Sequence, residues 1–193
     1  MKYFLISTAV AASVLVPSIA LAQQPPAPII LVVDSNRVAN ECNACKTAAA
    51  SLRSQATAFD TRRTTLNNQL SPERQAIQTA VNALQGKAPD AALQARIKAF
   101  ETKAQAAQTE LETTQQRLQS INVNILKQIK EKLDPAVKAV MAQRGANLMM
   151  EEDNTLAHAA GLDVTPAVIA QLNSTLTTIS VTPLPQQAQP SGR

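Results

Sequence analysis

Residues 38–84 read VANECNACKTAAASLRSQATAFDTRRTTLNNQLSPERQAIQTAVNAL, and residues 93–125 read LQARIKAFETKAQAAQTELETTQQRLQSINVNI. Stepping by four and three from Val38 lands on Val38, Cys42, Cys45, Ala49, Leu52, Ala56, Phe59, Arg63, Leu66, Leu70, Glu73, Ile77, Ala80 and Leu84. All but Arg63 and Glu73 are apolar. In the second stretch the same steps reach Leu93, Ile97, Phe100, Ala104, Ala107, Leu111, Thr114, Leu118, Ile121 and Ile125. An apolar repeat of about 3.5 residues keeps one narrow seam facing a partner only when helices supercoil about each other. Both stretches are therefore expected as coiled-coil helices.

Between them stands Gln85-Gly86-Lys87-Ala88-Pro89-Asp90. Gly86 can take the left-handed conformation that closes a helix, and Pro89 cannot continue the first one. So short a turn makes the helices antiparallel neighbours. Folding the chain there pairs Leu84 with Leu93, Ala80 with Ile97, Ile77 with Phe100, Leu70 with Ala107, Leu66 with Leu111, Phe59 with Leu118 and Leu52 with Ile125. The expectation is a helical hairpin over residues 35–143 with its tip near 85–90.

The apolar, β-branched run Ile29-Ile30-Leu31-Val32-Val33 reads as a buried strand, with Asp34 or Ser35 capping the first helix. That helix is expected to run to about Gln85, roughly 75 Å if unbroken. Ser71-Pro72 should kink it, with Ser71 restarting it, because proline is costly inside a helix and disfavours helix just before itself. After Ile125 the apolar positions Ile129, Leu133, Val137, Val140 and Met141 lose heptad phase, and Asp134-Pro135 marks a second kink or restart. Gly145 ends the helix. Asn147-Leu148-Met149-Met150 reads as a second strand, Glu151-Glu152-Asp153-Asn154 as a solvated turn, and Thr155-Leu156-Ala157-His158 as a third strand. A short helix follows, with Thr165 as its cap, Pro166 in its first turn and Val168, Ile169 and Leu172 on one face. From Thr182 to the end, proline and glutamine indicate a disordered tail.

Strands this short and few make too small a sheet to stand alone. The segments 29–34 and 144–173 therefore read as a β-rich oligomerisation hub, its strands pairing under the hairpin or with other subunits. Residues 1–22 read as an export signal: Lys2, an apolar core from Tyr3 to Val16, and Ala20-Leu21-Ala22 before a cleavage point. Residues 23–28 form a flexible leader. Two aromatics, Phe59 and Phe100, remain after Ala22, as suits extended helices that bury a narrow stripe.

Formal net charge is +4, from 18 basic and 14 acidic residues. Nine basic residues between Lys46 and Lys103 face four acids, whereas Arg144 to Asp163 holds one base and four acids. Positive arms thus project from a more acidic base. An ordinary solvated surface accounts for this, and so does attraction for acidic clients or an anionic membrane surface. Nothing in the chain points to nucleic acid.

The order of these segments resembles the Skp/OmpH family of periplasmic chaperones. The likeness rests on the export signal, on the strand running into Val33-Asp34-Ser35-Asn36-Arg37-Val38, and on the hairpin. It continues in Arg144-Gly145-Ala146-Asn147-Leu148-Met149-Met150, Leu162-Asp163-Val164-Thr165-Pro166-Ala167-Val168-Ile169 and Leu172-Asn173. The resemblance implies a mainly α fold with a small β hub, in which a long antiparallel coiled-coil hairpin projects from short strands that form a trimeric β-barrel. It implies an ATP-independent periplasmic holdase for unfolded outer-membrane proteins, a homotrimer and not an enzyme. This chain departs from better-known members in its Ala/Gln/Thr-rich arms with fewer lysines, in Pro72 and Pro135, and in its Pro-rich tail. The lipopolysaccharide site proposed for the family is not carried over.

With the seam occupied by helix pairing, clients are expected at flanking positions such as Arg62, Arg74, Val81, Arg96 and Lys103. Cys42-Asn43-Ala44-Cys45 admits three readings: a local disulfide, two buried thiols, or a redox or metal site. No second C-x-x-C accompanies it, and His158 is the sole histidine. Four glycines leave no phosphate-cradling loop, and no cofactor is expected. The alternative function is a structural coiled-coil trimeriser or envelope adaptor that docks one folded partner.

Overall fold

Ile30–Val33 form strand β1, three of whose four residues are buried. The computed structural model describes residues 27–185, so the expected export signal and most of the leader lie outside it. β1 runs into α1 (Ser35–Glu41), where the Asp34 carboxylate accepts the Arg37 amide at 2.8 Å. After Cys42 come α2 (Asn43–Ala83) and α3 (Ala91–Arg144), then β2 (Leu148–Glu151) and α4 (Thr165–Thr175). β1 and β2 pair in parallel, Ile30 beside Leu148 through Val33 beside Glu151. A single bridge joins Val32 to Asp163 on the other side of β1.

The hairpin has the expected topology. Gln85 and Gly86 both take positive φ (50° and 88°), which turns the chain sharply at the tip. Asp90 then caps α3 by accepting the Leu93 amide at 2.8 Å. Residues paired by the expected register line common grooves between the helices: Leu70 with Ala107, Phe59 with Leu118, and Leu84 with Leu93. At the base, Gly145 (φ 64°) closes α3, and the Ala146 amide donates back to the Met141 carbonyl at 2.9 Å.

Several expectations need correction. The first helix breaks at Cys42, where ψ is 143°, and does not restart at Ser71. Both α2 and α3 run unbroken through Pro72 and Pro135. Both prolines are exposed, so the carbonyl each leaves unpaired has access to water. The break also moves the buried face of α2, so that Ala48 is buried and Ala49 exposed. Arg63 lies off the seam, paired with Asp60 on its own helix at 3.1 Å. Thr155–His158 is not a strand; a 3₁₀ turn over Glu152–Asn154 precedes it, and the Thr155 hydroxyl bonds the Glu152 carbonyl. Thr165 does not cap α4 with its hydroxyl, which instead accepts the Asp34 amide at 2.9 Å. The first amide of α4, that of Thr165, donates to the Asp163 carboxylate at 2.8 Å.

Thr182 to Leu184, expected in a disordered tail, lie instead along α3, bonded through Asn124 and Ser120. Residues beyond 185 lie outside the described part.

The core sits at the base of the hairpin. Leu31, Val33 and Val38 meet Ile121, Ile125, Ile129 and Val140 of α3 and Val168 and Leu172 of α4. Toward the tip the seam is half-buried, and only Leu66 and Ala107 among the described residues are buried. Polar side chains lock the base together. Glu151 accepts both the amide and the hydroxyl of Ser35, at 2.7 and 2.6 Å. Asn173 accepts the Asn43 amide at 2.8 Å, which caps α2 from α4.

Candidate functional site

α2 has two different faces. One carries the seam; the other presents Ala50, Ser54, Thr57, Ala58, Thr61 and Thr65 together with Arg53 and Arg62, and bounds an open groove of about 770 Å³. The threonines look polar by name, but each hydroxyl donates to the carbonyl four residues earlier. Thr57 bonds Arg53, Thr61 bonds Thr57, and Thr65 bonds Thr61, at 2.9 to 3.1 Å. With its hydroxyl turned onto the backbone, such a threonine shows solvent mainly its methyl group. The groove is thus a weakly apolar strip that also carries Arg53 and Arg62.

Arg62 also borders two smaller grooves between α2 and α3, of about 420 and 250 Å³. Its guanidinium clamps Glu110 of α3 with two bonds, at 2.6 and 2.9 Å. Nearer the tip Arg96 clamps Glu73 in the same manner, at 2.7 and 3.2 Å. These bonds hold the Glu110 and Glu73 carboxyls below the usual carboxylate range and raise both arginines. Arg74 lies over the Phe100 ring, 5.9 Å from its centre. Lys103 borders the groove beside Leu70, and its charge also helps to lower Glu73. Val81 is 38% exposed near the tip.

So the five expected site residues are not equivalent. Arg62, Arg74 and Arg96 are used to bracket the two helices together. Lys103 has no ion-pair partner among the described residues, and neither do Lys46, Arg53, Lys87 and Lys98. The positive field of the outer arm therefore comes chiefly from these lysines and Arg53. The apolar strip of threonine methyls was missed in the sequence. Its signal is the i, i+4 spacing Arg53-Thr57-Thr61-Thr65, legible only once the helix face is known.

Cys42 and Cys45 are joined by a disulfide, with Cα atoms 5.1 Å apart. Both are buried in the base core. The extended ψ of Cys42 lifts it out of helical geometry, so that its Sγ reaches Cys45 and accepts that residue's amide at 3.1 Å. Glu151, Glu152 and Asp153 are not a bare solvated turn. Glu152 meets the His158 ring at 3.4 Å, and Asp153 accepts from Asn36 at 3.1 Å. His158 is raised above its ordinary value, first by the Ala159 carbonyl and then by Glu152. No cluster of metal-ligating side chains occurs among the described residues, and none of their helices is long and apolar enough to cross a membrane.

Comparison with known proteins agrees with this architecture. A search of curated proteins finds no match. Among solved structures, an OmpH-like outer membrane chaperone from Caulobacter crescentus CB15 superposes with a TM-score of 0.69 at 18% identity, over 86% of this chain and 96% of that one. At that identity the likeness speaks for the fold. The family described as outer membrane protein (OmpH-like) matches residues 29–172, three-quarters of the sequence, and the chain belongs to it.

Proposed function

We propose that this protein is an ATP-independent periplasmic holdase that works as a homotrimer and encloses unfolded outer-membrane proteins between its arms. Family membership supports a chaperone role without catalysis. The observation that carries the finer reading is the alanine and threonine strip on α2, from Ala50 to Thr65. Methyl groups of alanine and threonine offer many weak contacts without a deep pocket, so a chain can be held without being ordered. A concave or enclosed arrangement of several such arms multiplies weak binding through effective concentration. Arg53 in the strip and the unpaired lysines elsewhere on the arm favour clients with acidic segments, and also an anionic membrane surface.

The trimer is supported by the state of the hub. Two paired strands of four residues are too little sheet to stand alone, and β2 has no strand neighbour beyond β1 among the described residues. Leu148 of that strand and Ile29 just before β1 are about half exposed. Strands from other copies would satisfy the edge and cover both side chains.

The test combines native mass measurement with an aggregation assay on several unrelated unfolded β-barrel proteins. A threefold mass and suppression across the panel are expected. One folded partner bound at fixed stoichiometry, with no effect on the panel, would replace the holdase by an adaptor. Neutralising Lys98, Lys103 and Arg53 together should weaken client binding more at low salt than at high salt. Equal affinity at low salt would remove the electrostatic part.

A further inference from the structure

The segment after α4 lies extended and antiparallel along α3, and the way it is held is unusual. Gln128 donates to the Ser180 carbonyl at 3.0 Å and accepts the Ser180 amide at 2.9 Å. Asn124 donates to the Thr182 carbonyl at 2.9 Å, and Ser120 accepts the Leu184 amide at 2.9 Å. Every one of these contacts reaches the main chain of the segment, not its side chains. The helix positions step by four residues and the segment positions step by two. Four helical residues rise about 6 Å and two extended residues about 6.6 Å, so the two ladders stay in register over three rungs. Gln128 is itself held in place, donating also to the Asn124 carbonyl at 3.1 Å.

Over residues 179–182 the side chains alternate, and beyond them Pro183 is exposed and Leu184 partly buried. Ile179 and Val181 pack against the base core, while Ser180 and Thr182 face outward and bond each other. Main-chain bonds for affinity with alternate side chains buried are the terms on which an extended peptide is taken by a protein surface. A ladder that reads only main chain accepts any extended segment with apolar residues at alternate positions.

We infer that Ser120, Asn124 and Gln128 form a binding site for extended polypeptide of alternating apolar and polar sequence, and that residues 179–185 are a built-in competitor for it. The occupant assigned to it is a segment of an unfolded β-barrel client, whose strands carry that alternation. This assignment rests on the holdase reading; the existence of the peptide site does not. The segment is suited to leave: it carries no charged residue, Ile179 and Val181 are only partly buried, and its inner anchor is Leu176, before the ladder. Release would exchange one occupant for another of the same chemistry at the root of the arms.

The experiment compares the intact chain with one shortened to end after Thr178, using a fluorescent synthetic peptide of residues 177–185. The shortened chain is expected to bind the peptide saturably and at least tenfold more tightly than the intact chain. Gln128→Ala in the shortened chain should weaken it tenfold or more, and a peptide of the same composition with its apolar residues made adjacent should bind poorly. Far-UV circular dichroism controls for folding. If the shortened chain does not fold, the full-length double variant Ile179→Asp, Val181→Asp, which expels the segment, takes its place and should bind the peptide alike. Absence of binding, or binding indifferent to Gln128, overturns the site while leaving aggregation suppression untouched. Peptide that binds but is not displaced by unfolded β-barrel protein overturns the client assignment.

Discussion

At Thr165 a fully buried hydroxyl accepts the Asp34 amide, while the Thr165 amide donates to Asp163. One residue therefore ties the end of β1 to the start of α4, across 131 positions of sequence. Thr165→Val keeps the shape and leaves the Asp34 N–H without its acceptor, which should cost about 1–3 kcal/mol. Thr165→Ser should lose less. Urea unfolding of the two variants decides it, by a lower midpoint at unchanged slope for valine. The Cys42–Cys45 disulfide sets a second expectation. It closes a loop of only four residues, so its constraint on the unfolded chain amounts to about 2 kcal/mol. Reduction should lower stability by that much or less, without unfolding the arm. Thiol titration of unfolded, unreduced protein should find no free thiol; two thiols per chain would reject the disulfide.

At the scale of the elements, the hairpin is held by a thin seam with a bracket at each level. In a cysteine-free background, Ile77→Cys with Phe100→Cys should crosslink on oxidation, since that pair sits in the same register as Leu70 with Ala107. Shifting one partner by two residues, to Lys98→Cys, should abolish it. The brackets also give a pH dependence. Arg96 and Arg62 hold the Glu73 and Glu110 carboxyls below their ordinary value of 4.5. A lowered folded value means that the contribution is complete above 4.5 and is lost as pH falls through the folded value. Both pairs are exposed, so the effect is small and screened by salt. Melting curves between pH 6 and 3 should fall less steeply for Glu73→Gln with Glu110→Gln than for the unsubstituted chain, and parallel profiles would remove the argument. His158 has the opposite sign. Its raised value gives stability that is full below about 6.5 and lost as pH climbs through the higher folded value.

For the molecule as a whole, most burial is concentrated at the base, and the arms carry little core of their own. Such a chain gains by sharing its hub. If the hub is completed by other copies, stability is linked to assembly, and the thermal midpoint should rise with protein concentration. A midpoint independent of concentration over a hundredfold range, with a monomer mass, would place all the stability in the single chain. The arms should remain the more mobile part in either case. Their amides toward the tip should exchange faster than those of β1 and α4, because few apolar contacts protect them.

The sequence by itself determined the hairpin, its tip, its register and the two segments that close its base. Those features follow from periodicity and from local chain stiffness, which are properties of neighbours in sequence. It did not reveal the break at Cys42, because a four-three count treats both cysteines as seam residues and carries no information on backbone angles. Nor did it reveal that Pro72 and Pro135 pass within continuous helices, which depends on their facing solvent. The uses of Glu151, Asn173 and Thr165 are bonds between residues more than a hundred positions apart, and only the tertiary structure brings those together. The same holds for the candidate site. Basic residues on the arms were legible, yet which of them are spent as brackets and which remain free depends on what stands opposite. Gln128, Asn124 and Ser120 look like ordinary polar surface until the chain returns along α3 and lays its main chain across them.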